Sequence, residues 1–153
     1  MNKIDILKNN ISILFLIMFI FFLDRYSKIL VLDNLSENNF YLNDFLNLNL
    51  IWNTGIGFGI LNSTSPLIYN LTSLLIFLVI LFLIYYLFTS DKYEKFIFSL
   101  IIGGALGNFY DRLIYKAVPD FIDLHYENFH WFTFNIADIF ITVGIFIYLL
   151  KGL

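Results

Sequence analysis

Five charged residues sit where an apolar chain should not carry them. Asp24, Lys28, Asp111, Arg112 and Asp138 lie within or at the ends of long runs of Leu, Ile and Phe. A carboxylate in such surroundings can do two kinds of work. Paired with a cation it fixes packing; close to a second carboxyl it shares a proton, leaving one group a base and the other an acid. Asp24 and Lys28 are four residues apart, so on a helix they share a face and can pair. Asn108, Asp111 and Arg112 share a second helical face, and Asn135 and Asp138 a third. The plainest reading of Asp24–Lys28 and Asp111–Arg112 is a set of ion pairs that fixes helix packing, with Arg112 anchoring Asp111 through a bidentate contact. Asp138 differs, because the nearest basic residue along its run is Lys151. A carboxyl in the preceding loop could share its proton, and Asp120, Asp123 and Glu127 are all candidates. Such a pair could activate water against a peptide carbonyl: the base takes the water's proton, and the acid donates to the carbonyl oxygen and later helps the amine leave.

The elements that must position these residues follow from composition. Hydrophobic residues make up 59% of the 153 and charged residues only 14%, against about 25% in a typical soluble chain. So much apolar surface points to lipid as the solvent, and the chain reads as one membrane domain. Four stretches, about 11–32, 66–88, 96–115 and 131–150, approach or exceed the roughly 20 residues that cross a hydrocarbon layer as a helix. Ser65-Pro66 suits the start of the second, and Gly103 and Gly107 give the third a spacing that allows close helix approach. Lys3, Lys8, Lys92, Lys95 and Lys151 flank these runs, whereas 33–65 carries no Lys or Arg. The positive-inside rule therefore puts both termini and the 89–95 loop in the cytoplasm, and the two longer loops outside. The first run meets Asp24-Arg25 without a small-residue cleavage pattern, so it is expected to be retained rather than removed as a leader.

With the chain oriented, the five charges gather near one membrane face. At 1.5 Å per residue Asp24 lies roughly 12 Å and Asp138 about 10 Å from the outer ends of their helices. Charge in mid-helix costs about 2.5–3.5 kcal/mol on the translocon scale, so this coincidence of depth needs a cause. In the first outer loop Leu46-Asn47-Leu48-Asn49-Leu50 alternates like a half-buried strand. The expected fold is all-α, four transmembrane helices with a small extracytoplasmic β-sheet between helices 1 and 2. Cysteine is absent, which excludes disulfides, thiolate metal sites and thiol nucleophiles. A net charge of −3 gives no reason to expect nucleic acid. His125 and His130, with Asp120 and Asp123, can be drawn as a metal site. Their spacing is not a recognised ligand motif, so a solvated or interfacial role is expected and no metal. Tyr126, Trp131 and Phe132 read as interface anchors. A proton- or ion-coupled transporter is the rival reading, but its charges should run toward both faces.

Five blocks resemble the lipoprotein signal peptidases, also called signal peptidase II, over essentially the whole chain. They are Asp24-Arg25-Tyr26-Ser27-Lys28, Asn53-Thr54-Gly55-Ile56-Gly57-Phe58-Gly59, Gly103 to Arg112, Val118-Pro119-Asp120-Phe121-Ile122 and Phe134-Asn135-Ile136-Ala137-Asp138. The resemblance implies a cofactor-free aspartyl endopeptidase of the bacterial inner membrane, monomeric, with its site near the outer face. Its substrates would be prolipoproteins carrying diacylglycerol on a cysteine, cut just before that residue. It also implies that Asp120 and Asp138 are catalytic. Asn53, Gly55, Asn108, Arg112 and Asn135 match positions around the site, and Asp24, Lys28 and Asp111 supporting ones. Ile56-Gly57 stands where the family often has Ala-Ala, so a narrower substrate groove is expected there.

Overall fold

A computed structural model describes residues 3–34, 40–55 and 65–152. Four helices and four strands follow one another as α1 (Lys3–Asn34), β1 (Phe40–Asn43), β2 (Leu46–Asn53), α2 (Pro66–Thr89), α3 (Lys92–Tyr115), β3 (Val118–Tyr126), β4 (Phe129–Phe134) and α4 (Ile136–Lys151). Ile56-Gly57 and the groove expected there lie outside the described residues.

The central element is α3. It packs against α1, α2 and α4, and it can do so because its glycines let other backbones approach. A Cβ on Gly103 would stand 2.8 Å from Ile20 Cβ, and one on Gly107 would strike the Asp24 carboxylate. The expected close approach of the 103/107 face is therefore to α1. One residue round the helix, a Cβ on Gly104 would stand 2.5 Å from the Ala137 carbonyl oxygen at the start of α4. Further along, Ile13, Ile17, Leu87, Ile97, Phe98, Ile101 and Ile102 form the apolar core.

Among the described residues two helices, α2 and α3, are long and apolar enough to cross a membrane. In α2 only Thr72, Ile80 and Leu87 are buried, while Leu67, Leu71, Leu74, Leu78, Phe82 and Tyr85 are exposed. An apolar surface of this extent calls for contact with something other than water. Ser65 stands at the N-cap position with Pro66 in the first turn, and its carbonyl accepts Tyr69 N–H at 3.0 Å. At the other end of the bundle Asp91 caps α3 by accepting Glu94 N–H at 2.8 Å, and Lys151 reaches both acids from the end of α4.

The sheet departs from the sequence expectation. It is antiparallel, in the order β1-β2-β3-β4, and half of it lies between α3 and α4 rather than between the first two helices. The segment between α3 and α4 is a hairpin, and residues 131–134, read as the start of the fourth helix, belong to β4. The cause is visible along β3, where the buried residues include Asp120, Asp123 and His125. Buried polar side chains, facing both sides of the strand, erase the apolar alternation that marks a strand. Glu127, at φ 51°, turns the chain between β3 and β4 in the left-handed conformation such hairpins use. Tyr126, Trp131 and Phe132 are exposed on this hairpin, as interface anchors would be.

Gly104→Ala should lower stability by about 1–3 kcal/mol through overpacking, since the methyl group would meet backbone in α4. Gly152→Ala, whose Cβ finds its nearest neighbour at 3.5 Å, should stay within about 0.5 kcal/mol of wild type. Thermal unfolding of both variants in detergent checks the contrast.

Candidate active site

The site is assembled around Lys28, whose side chain is fully buried between α1 and α3. Its ammonium has three donors and uses them all, on Asp24 Oδ2 at 2.8 Å, Asn108 Oδ1 at 2.8 Å and Asp111 Oδ2 at 2.7 Å. The expected Asp24–Lys28 pair is present, and Asp24 does more than balance charge. Its Oδ1 accepts the Ala137 N–H at 3.0 Å, one of the orphan donors of the first turn of α4, where a negative charge also suits the helix dipole.

Asp111 corrects the sequence reading. Its cations are Lys28 and Arg25, not Arg112, because consecutive helical residues point in different directions. Arg25 also lies over the Tyr110 ring, 4.8 Å from its centre. It was missed as a site residue, although a charge beside Asp24 in the same apolar run carried the same signal. Arg112 turns away to the segment after β2, where its guanidinium donates to the Thr54 and Gly55 carbonyl oxygens. The Tyr69 hydroxyl donates to the Arg112 carbonyl at 2.7 Å, a contact from α2 that no spacing rule announces.

From Lys28 a chain of amides runs to two carboxyls. Asn108 Nδ2 donates to Asp138 Oδ1 at 2.8 Å. Asn135 is the N-cap of α4: its side-chain oxygen accepts Asp138 N–H at 3.0 Å, and its own N–H reaches Asp138 Oδ2 at 3.2 Å. This is a capping box with aspartate in the place usually held by Glu or Gln. Asp138 is therefore not without partners, and it lies in the first turn of its helix rather than deep within it. The remaining donor of Asn135, Nδ2, reaches Asp120 Oδ1 at 2.6 Å. Asp120 Oδ2 takes Asn53 Nδ2 at 2.9 Å, and Asn53 Oδ1 accepts Gly55 N–H at 2.8 Å. One asparagine thus joins a carboxyl on a strand to a carboxyl on a helix.

Of the three loop acids left open by spacing, Asp120 is the one joined to Asp138. Asp123 is held instead by Asn49 and His130, and Glu127 forms the hairpin turn. Burial and the neighbouring Asp138 charge raise the Asp120 carboxyl from its ordinary 3.8 to about 6, against the amide donors of Asn53 and Asn135. Two carboxyls bound to one residue, one of them holding its proton up to nearly neutral pH, can act as acid and base on the same water. Of the two histidines expected to be solvated or interfacial, His125 is buried and His130 exposed.

The profile of the Signal peptidase (SPase) II family matches residues 16–153. The lipoprotein signal peptidase of Pelagibacter ubique (strain HTCC1062) is 49% identical over 157 residues, covering all of this chain and 93% of that one. The lipoprotein signal peptidase of Thermodesulfovibrio yellowstonii is 42% identical over 152 residues, covering 99% and 98%. A solved bacterial membrane enzyme superposes with a TM-score of 0.75 at 26% identity, covering 93% of this chain and 92% of its own. A second such structure gives 0.71 at 27%, covering 92% and 88%.

Two stability measurements follow. Lys28→Met leaves buried carboxylates facing one another and should cost about 3–5 kcal/mol in thermal unfolding. For Asp120 the folded value near 6 exceeds the unfolded 3.8, so its penalty is absent below pH 3.8, grows between 3.8 and about 6, and is constant above. Asp120→Asn should therefore gain stability relative to wild type as pH rises through that window. The ceiling is ~3 kcal/mol, less what the amide loses in hydrogen bonds.

Proposed function

The chain belongs to the signal peptidase II family, and we propose on that footing that it removes the signal peptide from bacterial prolipoproteins as an aspartyl endopeptidase. The substrate is a precursor whose cysteine already carries diacylglycerol, and the bond cut is the one before that cysteine. The single observation that supports this reading best is Asn135, which binds both Asp120 and Asp138.

The reaction asks little beyond the pair. One carboxylate takes a proton from water as the water attacks the scissile carbonyl carbon. The other carboxyl, protonated, donates to the carbonyl oxygen; as the tetrahedral intermediate collapses it takes that proton back, while the first carboxyl gives the proton it took from water to the departing cysteine amine. The amides of Asn53, Asn108 and Asn135 hold the two acids in place, and Arg112 fixes the Thr54–Gly55 backbone beside them. Because only the singly protonated pair is competent, the pH profile of cleavage is bell-shaped.

The setting is the bacterial inner membrane, crossed four times as a single domain, with both termini in the cytoplasm and the sheet and carboxyl pair at the outer face. The charges of α1 that break its apolar run are consumed inside the bundle by Asp111 and Asn108, so its outer surface stays apolar. The sixteen residues of α4 span ~24 Å, and the hairpin before it supplies the aromatic anchors. A groove of about 610 Å³ runs between α2, α3 and α4, lined by Leu75, Val79, Phe82, Ile101, Ala105 and Ile141 among others. Its apolar lining suits a signal helix entering sideways from lipid, while water arrives from outside. The enzyme works as a monomer without nucleic acid or cofactor.

Asp120→Asn and Asp138→Asn should each abolish cleavage of a lipidated precursor, a loss of at least ~10²–10⁴-fold. Thermal unfolding should show both variants still folded. The assay uses purified protein, diacylglyceryl-modified substrate and a chelator in every reaction. Near-normal turnover by either variant would end the assignment, and loss of wild-type turnover to the chelator would move the chemistry to a metal.

A further inference from the structure

A second cluster of ionisable groups lies apart from the carboxyl pair. Asp123 is three residues beyond Asp120, an odd step that turns it to the other side of the strand. Its Oδ2 is 2.7 Å from His130 Nδ1 and 4.0 Å from His125 Nδ1. The two histidines meet because the hairpin register places His125 opposite His130, with their rings stacked at 5.3 Å. One potential ligand atom from each of the three residues falls within 4.8 Å of the others. Asp123 and His125 are 2% and 5% exposed, so this is a built, covered arrangement rather than a surface encounter.

Two buried atoms here have no hydrogen-bond partner, His125 Nδ1 and Asn47 Oδ1. Asn47 Nδ2 lies 3.4 Å from His125 Nε2, and the two ends of an amide exchange places by a half-turn. That half-turn lets Asn47 Oδ1 accept a proton from Nε2, which leaves Nδ1 as a bare lone pair beside the Asp123 carboxylate. A lone pair and an anion side by side, in a buried place, call for a cation. Asn49 Nδ2 at 3.2 Å from Asp123 Oδ2 and Asn47 on His125 are the outer partners that hold ligating groups in position.

We propose that Asp123, His125 and His130 bind one divalent transition cation of the zinc type. Two imidazoles and a carboxylate are a familiar donor set for zinc, with a fourth position left to water. Tetrahedral zinc with ligands near 2.0–2.1 Å separates its ligand atoms by ~3.3 Å, and the separations of 2.7 and 4.0 Å lie on either side of that. The half-exposed His130 can swing to even them. A cleft of about 250 Å³ lined by Asp44, His125 and Glu127, among others, adjoins the cluster and gives the cation an acidic way in. The cation ties β3 to β4 and takes no part in activating water.

The chain has two histidines and no cysteine, so any imidazole-bound metal must use these two. The test is calorimetric titration of full-length protein, free of any histidine tag, with Zn²⁺ alone, combined with X-ray absorption at the zinc edge. One equivalent should bind with two imidazoles in its shell. His130→Ala should weaken binding by at least ~10–100-fold, the loss seen even for outer-shell partners, while cleavage in chelator stays at the wild-type rate. Absence of saturable binding, a shell without imidazole, or binding that His130→Ala leaves unchanged would overturn the proposal.

Discussion

A single buried ammonium holds this structure in its working form. Lys28 is fully buried, and a lone cation there would be prohibitively unfavourable. Its three acceptors come from two helices, so the ion can be satisfied only when α1 and α3 lie at one depth and one rotation. The requirement then passes outward. Asp24, held by Lys28, receives the first turn of α4, and Asn108, held by Lys28, reaches Asp138. Hydrophobic burial is non-directional and lets helices slide or rotate; a saturated ammonium does not. Precision at the carboxyl pair is inherited from it.

The remaining architecture separates support from reaction. The glycines of α3 bring α1 and α4 close enough for short polar side chains to meet, while α2 stays at the edge and keeps an apolar groove open beside α4. The sheet carries Asp120 to the bundle: β2 supplies Asn53, β3 supplies Asp120, and the chain leaving β4 supplies Asn135. With Asn108 of α3, four segments converge through amides, which can donate and accept without adding charge. Two acids held by one asparagine can then both stay in a poorly solvated place.

Much of this was legible in the sequence. Asp24, Lys28, Asp111 and Asp138 stood out because charge is costly in an apolar run, and the i, i+4 spacing of Asp24 and Lys28 predicted their contact. Which loop acid joined Asp138 could not be read from spacing; the resemblance selected Asp120, and in the structure Asn135 contacts both Asp120 and Asp138. What escaped was set by tertiary pairing. The hairpin 118–134 hid because polar residues are buried among apolar ones on both sides of β3, so α4 was begun five residues early. Arg112 was given to Asp111 by adjacency, though their directions diverge on a helix. His125 and His130 had no motif spacing, because what unites them is strand register across a turn.

The central claim is that Asp120 and Asp138 act as one unit on one proton, and residual rates test it most directly. Single-turnover cleavage of a lipidated precursor by the double variant Asp120→Asn/Asp138→Asn should be no slower than by either single variant, because removing one member already removes the function of both. If the two losses instead multiply in the double variant, the carboxyls act independently and the account is wrong.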